Sequence, residues 1–142
     1  ENKPIDVFNY GKHTRDFTFI DDIVYGISKT IDNIAKSNLN WDSKKPDAAN
    51  SKSPWRIYNI GNNNPVELSR FIAAIETATG IAAQRNNLPM QAGAVPVTFA
   101  DVNDLMSDVR FKPSIPIEEG INRFVQWYRD YTASNNDKSE VL

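Results

Sequence analysis

Arg15 lies in the stretch Asn9-Tyr-Gly-Lys-His-Thr-Arg-Asp-Phe-Thr-Phe-Ile-Asp-Asp-Ile-Val24, where turn residues give way to an alternating strand and then to a helix start. An arginine at such a junction can fork two N–H donors onto a phosphate or a carboxylate. It can equally sit on the surface, paired with Asp16 or with water, and residue type and position alone favour that plainer reading. The single histidine, His13, stands two residues away; one imidazole does not build a histidine-based zinc site. There is no cysteine, which excludes disulfides and thiolate metal sites.

The elements that must position Arg15 follow from local pattern. Gly11 marks a turn, because glycine reaches backbone angles that other residues avoid. Ile5 to Tyr10 alternates in polarity and is predicted to pair with Arg15 to Ile20 as a hairpin. Asp21 or Asp22 is predicted to cap a helix running to about Ser37, with Ile23, Ile27, Ile31 and Ile34 on its core-facing stripe. Residues 40–54 are polar and read as a long mobile loop, with Lys44 and Lys45 solvated. Arg56 to Ile60 reads as a strand closed by the turn residues Gly61 to Asn64. Asn64 as N-cap, Pro65 at the first helical position and Glu67 as capping-box partner open the next helix. Leu68, Phe71, Ile72 and Ile75 line it, and Gly80 ends it in the left-handed conformation. Ala82 to Leu88 reads as a strand, Pro89 to Pro96 as a loop of defined path, and Val97 to Ala100 as strand-like. Asp101 is predicted to cap a short helix with Val102, Leu105 and Met106 inward. The last helix opens at Pro116, with Glu118 and Glu119 against its positive end. Its buried stripe is Ile117, Ile121, Phe124, Val125 and Tyr128, and from Thr132 the chain is expected to fray. The fold class is α+β: short strands with three or four helices and no complete dinucleotide-binding domain.

The chain has 142 residues and a net charge of −2, with no basic run beyond Lys44-Lys45, which argues against a nucleic-acid binder. No apolar run approaches the roughly 20 residues that cross a membrane. No signal peptide is visible, and the cytoplasm is the default compartment. The start, Glu1-Asn-Lys-Pro, enters the first strand without a methionine, as expected of a piece of a longer protein or of a chain whose own start has been removed.

Four stretches carry a resemblance: "NYGKHTRDFTFIDDIV", "WRIYNIGNNNPVEL", "NLPMQAGAVPVTFADV" and "FKPSIPIEEGINRFVQWYRDY". In this order and spacing they resemble the C-terminal substrate-binding region of extended short-chain dehydrogenase/reductase nucleotide-sugar epimerases, within them the UDP-glucuronate 4-epimerases. The resemblance reaches from about Pro4 to Tyr131, so residues 1–131 form the expected nucleotide-sugar-binding region and 132–142 a flexible tail. It implies an NAD-dependent reaction in the intact family enzyme: hydride leaves C4 of the sugar, the 4-keto sugar rotates, and hydride returns to the other face while the diphosphate stays clamped. It also implies that Arg15 contacts the diphosphate, that Asn59 lies near it, and that Gln91 stands where many relatives carry a second phosphate arginine. Structural alternatives stand beside these roles: for Asn59, an asparagine bonding backbone at a strand end, and for Gln91, a loop glutamine with no ligand. Leu88, Pro89 and Met90 line the nucleotide or simply pack.

The same resemblance places the glycine fingerprint for NAD and the catalytic Tyr-x-x-x-Lys pair before Glu1. Tyr25 and Lys29 share that spacing by chance, so no catalytic, cofactor-binding or metal-binding residue is assigned in this chain. One departure stands out: the family usually has Pro-Gly-Asp-Val where this chain has Ala92-Gly-Ala-Val95, and Ala94 lacks the acceptor an aspartate offers. Two readings follow: the UDP-sugar-binding part of an epimerase, silent alone, or a truncated module that binds or self-associates without catalysis. In either, apolar surface uncovered by a missing dinucleotide domain favours a homo-oligomer.

Overall fold

The computed structural model describes residues 3–139, with side chains described as far as Ser134. It contains β1 (Ile5–Val7), β2 (Thr14–Arg15), α1 (Ile20–Ile31), β3 (Val66–Glu67), α2 (Leu68–Thr79), β4 (Arg85–Asn87), α3 (Asn103–Val109) and α4 (Ile117–Ser139). Short strands with four helices make an α+β fold. The chain divides into two units. One comprises the residues before Thr18, Asn64–Thr98, and the chain from Ile115; the other comprises Thr18–Asn63 and Phe99–Ser114.

In the first unit, helix α2 packs on α4 through Ala74, Ile121 and Val125, flanked by Phe71, Ile75, Ala78 and Ile117. Phe17 stacks on Phe71 with ring centroids 4.2 Å apart. Gly80 ends α2 at φ 76°, its N–H donating to Glu76 O over 2.9 Å, as the sequence predicts. Phe124 and Tyr128 of the stripe expected to be buried on α4 are half exposed.

The predicted hairpin does not form. Strand β1 runs parallel to β4, with Ile5 opposite Arg85 and Val7 opposite Asn87. Strand β2 is antiparallel to β3, with Arg15 opposite Val66. Residues 8–11 form a tight left-handed turn that aims the chain away from the fold-back a hairpin needs. The start of α2 also moves: Pro65 leads into β3, Glu67 takes the N-cap position and helix begins at Leu68. Pairing of Val66 with Arg15 overrides the local helix signal. Of the expected strand over 82–88, Arg85–Asn87 forms β4.

In the second unit, Val102 and Leu105 are fully buried, and Phe111 and Pro113 are buried as well. Phe111 meets Tyr25 edge-on at 5.1 Å. A Cβ on Gly26 would lie 3.0 Å from Phe111 Cε1 and 3.3 Å from Ile60 Cγ2, so α1 approaches this core through its glycine. That overturns the expected stripe. Ile27, Ile31 and Ile34 are exposed, and Ile23 is only partly covered. Asp22 and Gly26 are instead the buried positions of α1. Helix α1 stops at Ile31, not Ser37, and Phe19 stands at its N-cap in place of either aspartate. Asp22 is committed inward: its Oδ2 accepts the Ser114 N–H at 3.1 Å.

Residues 56–60 make no strand, only a single bridge between Asn50 and Arg56. The segment before them is built from small turns in which Asn38, Asp42, Asp47 and Ser51 each accept the N–H two residues on. Asp101 does the same for Asn103 at 3.1 Å, just ahead of α3, whose N-cap position falls to Val102. Helix α4 continues to Ser139, and residues 140–142 of the expected tail lie outside the described residues. Among the described residues no helix is long and apolar enough to cross a membrane, and no cluster of three His, Asp or Glu is placed to hold a metal.

Candidate functional site

Strand β2 is two residues long because it bridges two neighbours. On one side it pairs with β3; on the other Thr14 forms a parallel bridge with Val97. Thr14 N donates to Pro96 O at 2.8 Å, and Thr98 N to Thr14 O at 3.2 Å. The segment after β4 is therefore tied down at both ends. It leaves at Leu88, whose N–H donates to Val7 O at 3.0 Å and whose carbonyl accepts from Tyr10 N at 3.1 Å. It returns at Pro96. Between them residues 89–95 arch outward, turned by Gly93 at φ 80° and by the Ala94 N–H to Gln91 O bond of 3.1 Å.

Arg15 sits where the arch returns. Its Nη1 donates to its neighbour's carbonyl, Thr14 O, at 2.8 Å and to Pro96 O at 3.3 Å. Nε and Nη2 have no partner among the described residues, so one edge of the fork is occupied and another is available. Asp16 Oδ1 accepts the Asn64 N–H at 3.4 Å. His13, two residues before, is buried with its Nε2 unpartnered, while its carbonyl holds Leu68 N at 2.8 Å.

The structure thus brings Arg15 and the Gln91 loop onto one framework in the first unit. Gln91 is exposed, and so is Met90. Asn59 belongs to the second unit, where its Nδ2 donates to Asp101 O at 3.2 Å, which is the backbone-bonding role.

Sequence reasoning missed one polar cluster. In the second unit Arg56 meets Asp104 at 2.9 Å, Asp108 at 3.2 Å and Asp47 at 3.8 Å. Tyr58 donates to Asp108 at 2.9 Å and accepts from Asn33 at 3.2 Å. The signal was present: Asp104 and Asp108 are one helical turn apart and share a face of α3. These groups border an open cleft of about 380 Å³ with residues 33–38 and Asn50. Arg56 and the three aspartates answer one another, so the cluster reads as a fastening of α3 to the loop.

Burial opposes the charged form of Asp108, but hydrogen bonds from Tyr58 and Ser107 and the charge of Arg56 outweigh it and hold the carboxyl below its usual range. Burial, then the bond to Asp108, raises the Tyr58 hydroxyl. A depressed carboxyl stabilises the fold above its unfolded pKa, and the benefit is lost as pH falls through the folded value. A raised phenol acts below its unfolded pKa and is lost as pH rises through the folded one. Asp108→Asn is therefore expected to lower stability at pH 7 by about 1 kcal/mol, since the site is partly solvated. Thermal melts should show that difference closing below about pH 4. A constant difference down to pH 2 would contradict the assignment.

No family model matches the chain. It is 45% identical over 130 residues to protein CapI of Staphylococcus aureus, covering 92% of this chain and 39% of that protein. A probable UDP-glucuronate 4-epimerase of Rhizobium meliloti is 42% identical over 128 residues, 89% of this chain and 37% of that one. UDP-glucuronate 4-epimerase 1 of Arabidopsis thaliana is 34% identical over 140 residues, 95% and 31% respectively. The chain spans between 31% and 39% of the length of these relatives. In structure it resembles the Bacillus cereus UDP-glucuronic acid 4-epimerase with UDP-glucuronic acid and NAD, at TM-score 0.62 and 24% identity over 84% of this chain and 33% of the other. It also resembles the Thermotoga maritima UDP-glucose 4-epimerase with UDP-glucose, at TM-score 0.68 and 18% identity over 92% of this chain and 36% of the other.

Over nearly its whole length the chain is homologous to about a third of the nucleotide-sugar epimerases of the extended short-chain dehydrogenase/reductase family. Within that family, its similarity is to the UDP-glucuronate 4-epimerases and CapI.

The NAD of such enzymes calls for a glycine-rich turn at a helix N-terminus. Gly61 instead leads through Asn62 to Pro65 into β3, and α2 begins beyond that at Leu68. That turn does not supply the glycine-rich helix start that a pyrophosphate takes.

Proposed function

We propose that this chain is the nucleotide-sugar-binding part of an NAD-dependent UDP-glucuronate 4-epimerase-like protein, which converts UDP-glucuronate to UDP-galacturonate in the cytoplasm, and that alone it performs no turnover. The observation that carries the reading is Arg15: an arginine held by backbone carbonyls on one edge, with Nε and Nη2 left to a ligand, beside an exposed arch carrying Gln91. Such a fork takes two phosphate oxygens at once. Gln91 adds a hydrogen bond without charge. Holding the remote diphosphate keeps a loose keto-sugar intermediate in place while it rotates, the sort of binding energy that serves a reaction elsewhere. Ala94 removes one acceptor and weakens nucleotide affinity by about 1 kcal/mol. Calorimetric titration with UDP-glucuronate tests the reading: saturable heat supports it, and a flat titration at millimolar ligand contradicts it.

A second reading, self-association without catalysis, draws on the apolar surface of α1 and of Ile34 just beyond it. Ile20, Val24, Ile27, Ile31 and Ile34 are between 49% and 81% exposed. A contiguous patch of this kind favours association. The isolated chain is expected to sediment as a dimer or higher oligomer at micromolar concentration, with Ile27→Glu/Ile31→Glu shifting it toward monomer. A compact wild-type monomer would contradict this.

A further inference from the structure

The turn before β2 adopts a backbone that its sequence does not favour. Asn9, Tyr10 and Gly11 have φ of 50°, 52° and 77°, three left-handed residues in succession. Asparagine and glycine take that region readily; tyrosine does not. The ring gains little from packing in return, since Tyr10 is 60% exposed. The surroundings fix the turn: Tyr10 N is bonded to Leu88 O, Lys12 N to Asn9 O at 2.9 Å, and Gly11 is buried with room for a Cβ only at 3.4 Å from Ser69 Cβ. An Asn-Asn-Gly or Asn-Asp-Gly turn would fold with less strain. Strain kept where a cheaper residue fits points to a use for the side chain.

Its position suggests that use. Tyr10 stands where the 89–95 arch leaves the framework, and Arg15 stands where it returns. A flat ring and a guanidinium therefore flank the two feet of one exposed loop. We propose that Tyr10 is a ligand-stacking residue of the Arg15 site, taking the face of the nucleoside base while Arg15 takes phosphate charge. The inference rests on the nucleotide-sugar reading and adds a residue to it. Aromatic–base stacking needs only a π-face on each partner and contributes substantially to nucleotide affinity.

Calorimetry on the 142-residue chain with UDP and with inorganic pyrophosphate, alongside thermal melts, tests it. Tyr10→Asn is expected to weaken UDP binding about tenfold or more, leave pyrophosphate within about twofold, and melt at the same or a higher temperature. Tyr10→Phe should bind UDP as the wild type does. If wild type binds UDP and Tyr10→Asn binds it equally well, the stacking role falls and the nucleotide reading stands. If wild type binds no UDP, both fall. Equal loss of UDP and pyrophosphate, or a lower melting temperature, would make the turn a structural feature and overturn the proposal.

Discussion

Arg15→Ala is expected to weaken UDP binding by about 10- to 150-fold, the value of charge-assisted hydrogen bonds worth roughly 1.5–3 kcal/mol. The effect follows from the fork: a phosphate bound through Nε and Nη2 would lose charge and geometry together. Arg15→Lys should fall between, since an ammonium keeps the charge without the paired donors. Stability should change little by comparison, because β2 is held through its backbone to β3 and to Pro96. The side chain adds only the bonds to Thr14 O and Pro96 O. Calorimetry and melting of the same samples separate the two effects. A variant that binds UDP unchanged would remove Arg15 from the site.

Leu105→Ala carries the largest expected loss of stability. Leu105 is fully enclosed, as are Val102 and Pro113. Truncation removes transfer energy and leaves a cavity, together costing about 2–5 kcal/mol. Leu39, 83% exposed, provides the contrast, and Leu39→Ala should stay within about 0.5 kcal/mol of wild type. Urea titration of both variants checks the pair. A small loss at Leu105 would mean that the second unit has no packed core.

Much of this architecture was legible in local pattern. The helical stripe of α2 and its Gly80 stop were readable because propensity, periodicity and cap agree there. Val102 and Leu105 were readable as inward residues from their spacing, although the cap expected at Asp101 fell to Val102. Strand pairing was not. Alternation in Ile5–Val7 marks a strand but names no partner, and the partner lies eighty residues on at Arg85–Asn87. The Pro65 helix start failed because Val66 gained a tertiary partner in Arg15. The isoleucine stripe of α1 shows a different limit. Periodicity locates an apolar face and says nothing of what covers it, and this chain spans only part of its relatives' length.

The candidate site divides in the same way. Arg15 was visible through its motif, because the residues around it are local in sequence. Its tie to Pro96 was not, since that bond spans 81 residues. Tyr10 was invisible for a separate reason: its distinction is a backbone angle, and no residue type announces that. The Arg56 cluster likewise needed the fold to bring α3 to Tyr58.

Amide chemical-shift mapping of the chain with UDP tests the central claim most directly. The predicted result is saturable shifts confined to Tyr10, Thr14–Arg15 and residues 88–98, abolished in Arg15→Ala. Shifts absent from those residues, or a spectrum that UDP leaves unchanged, would contradict it.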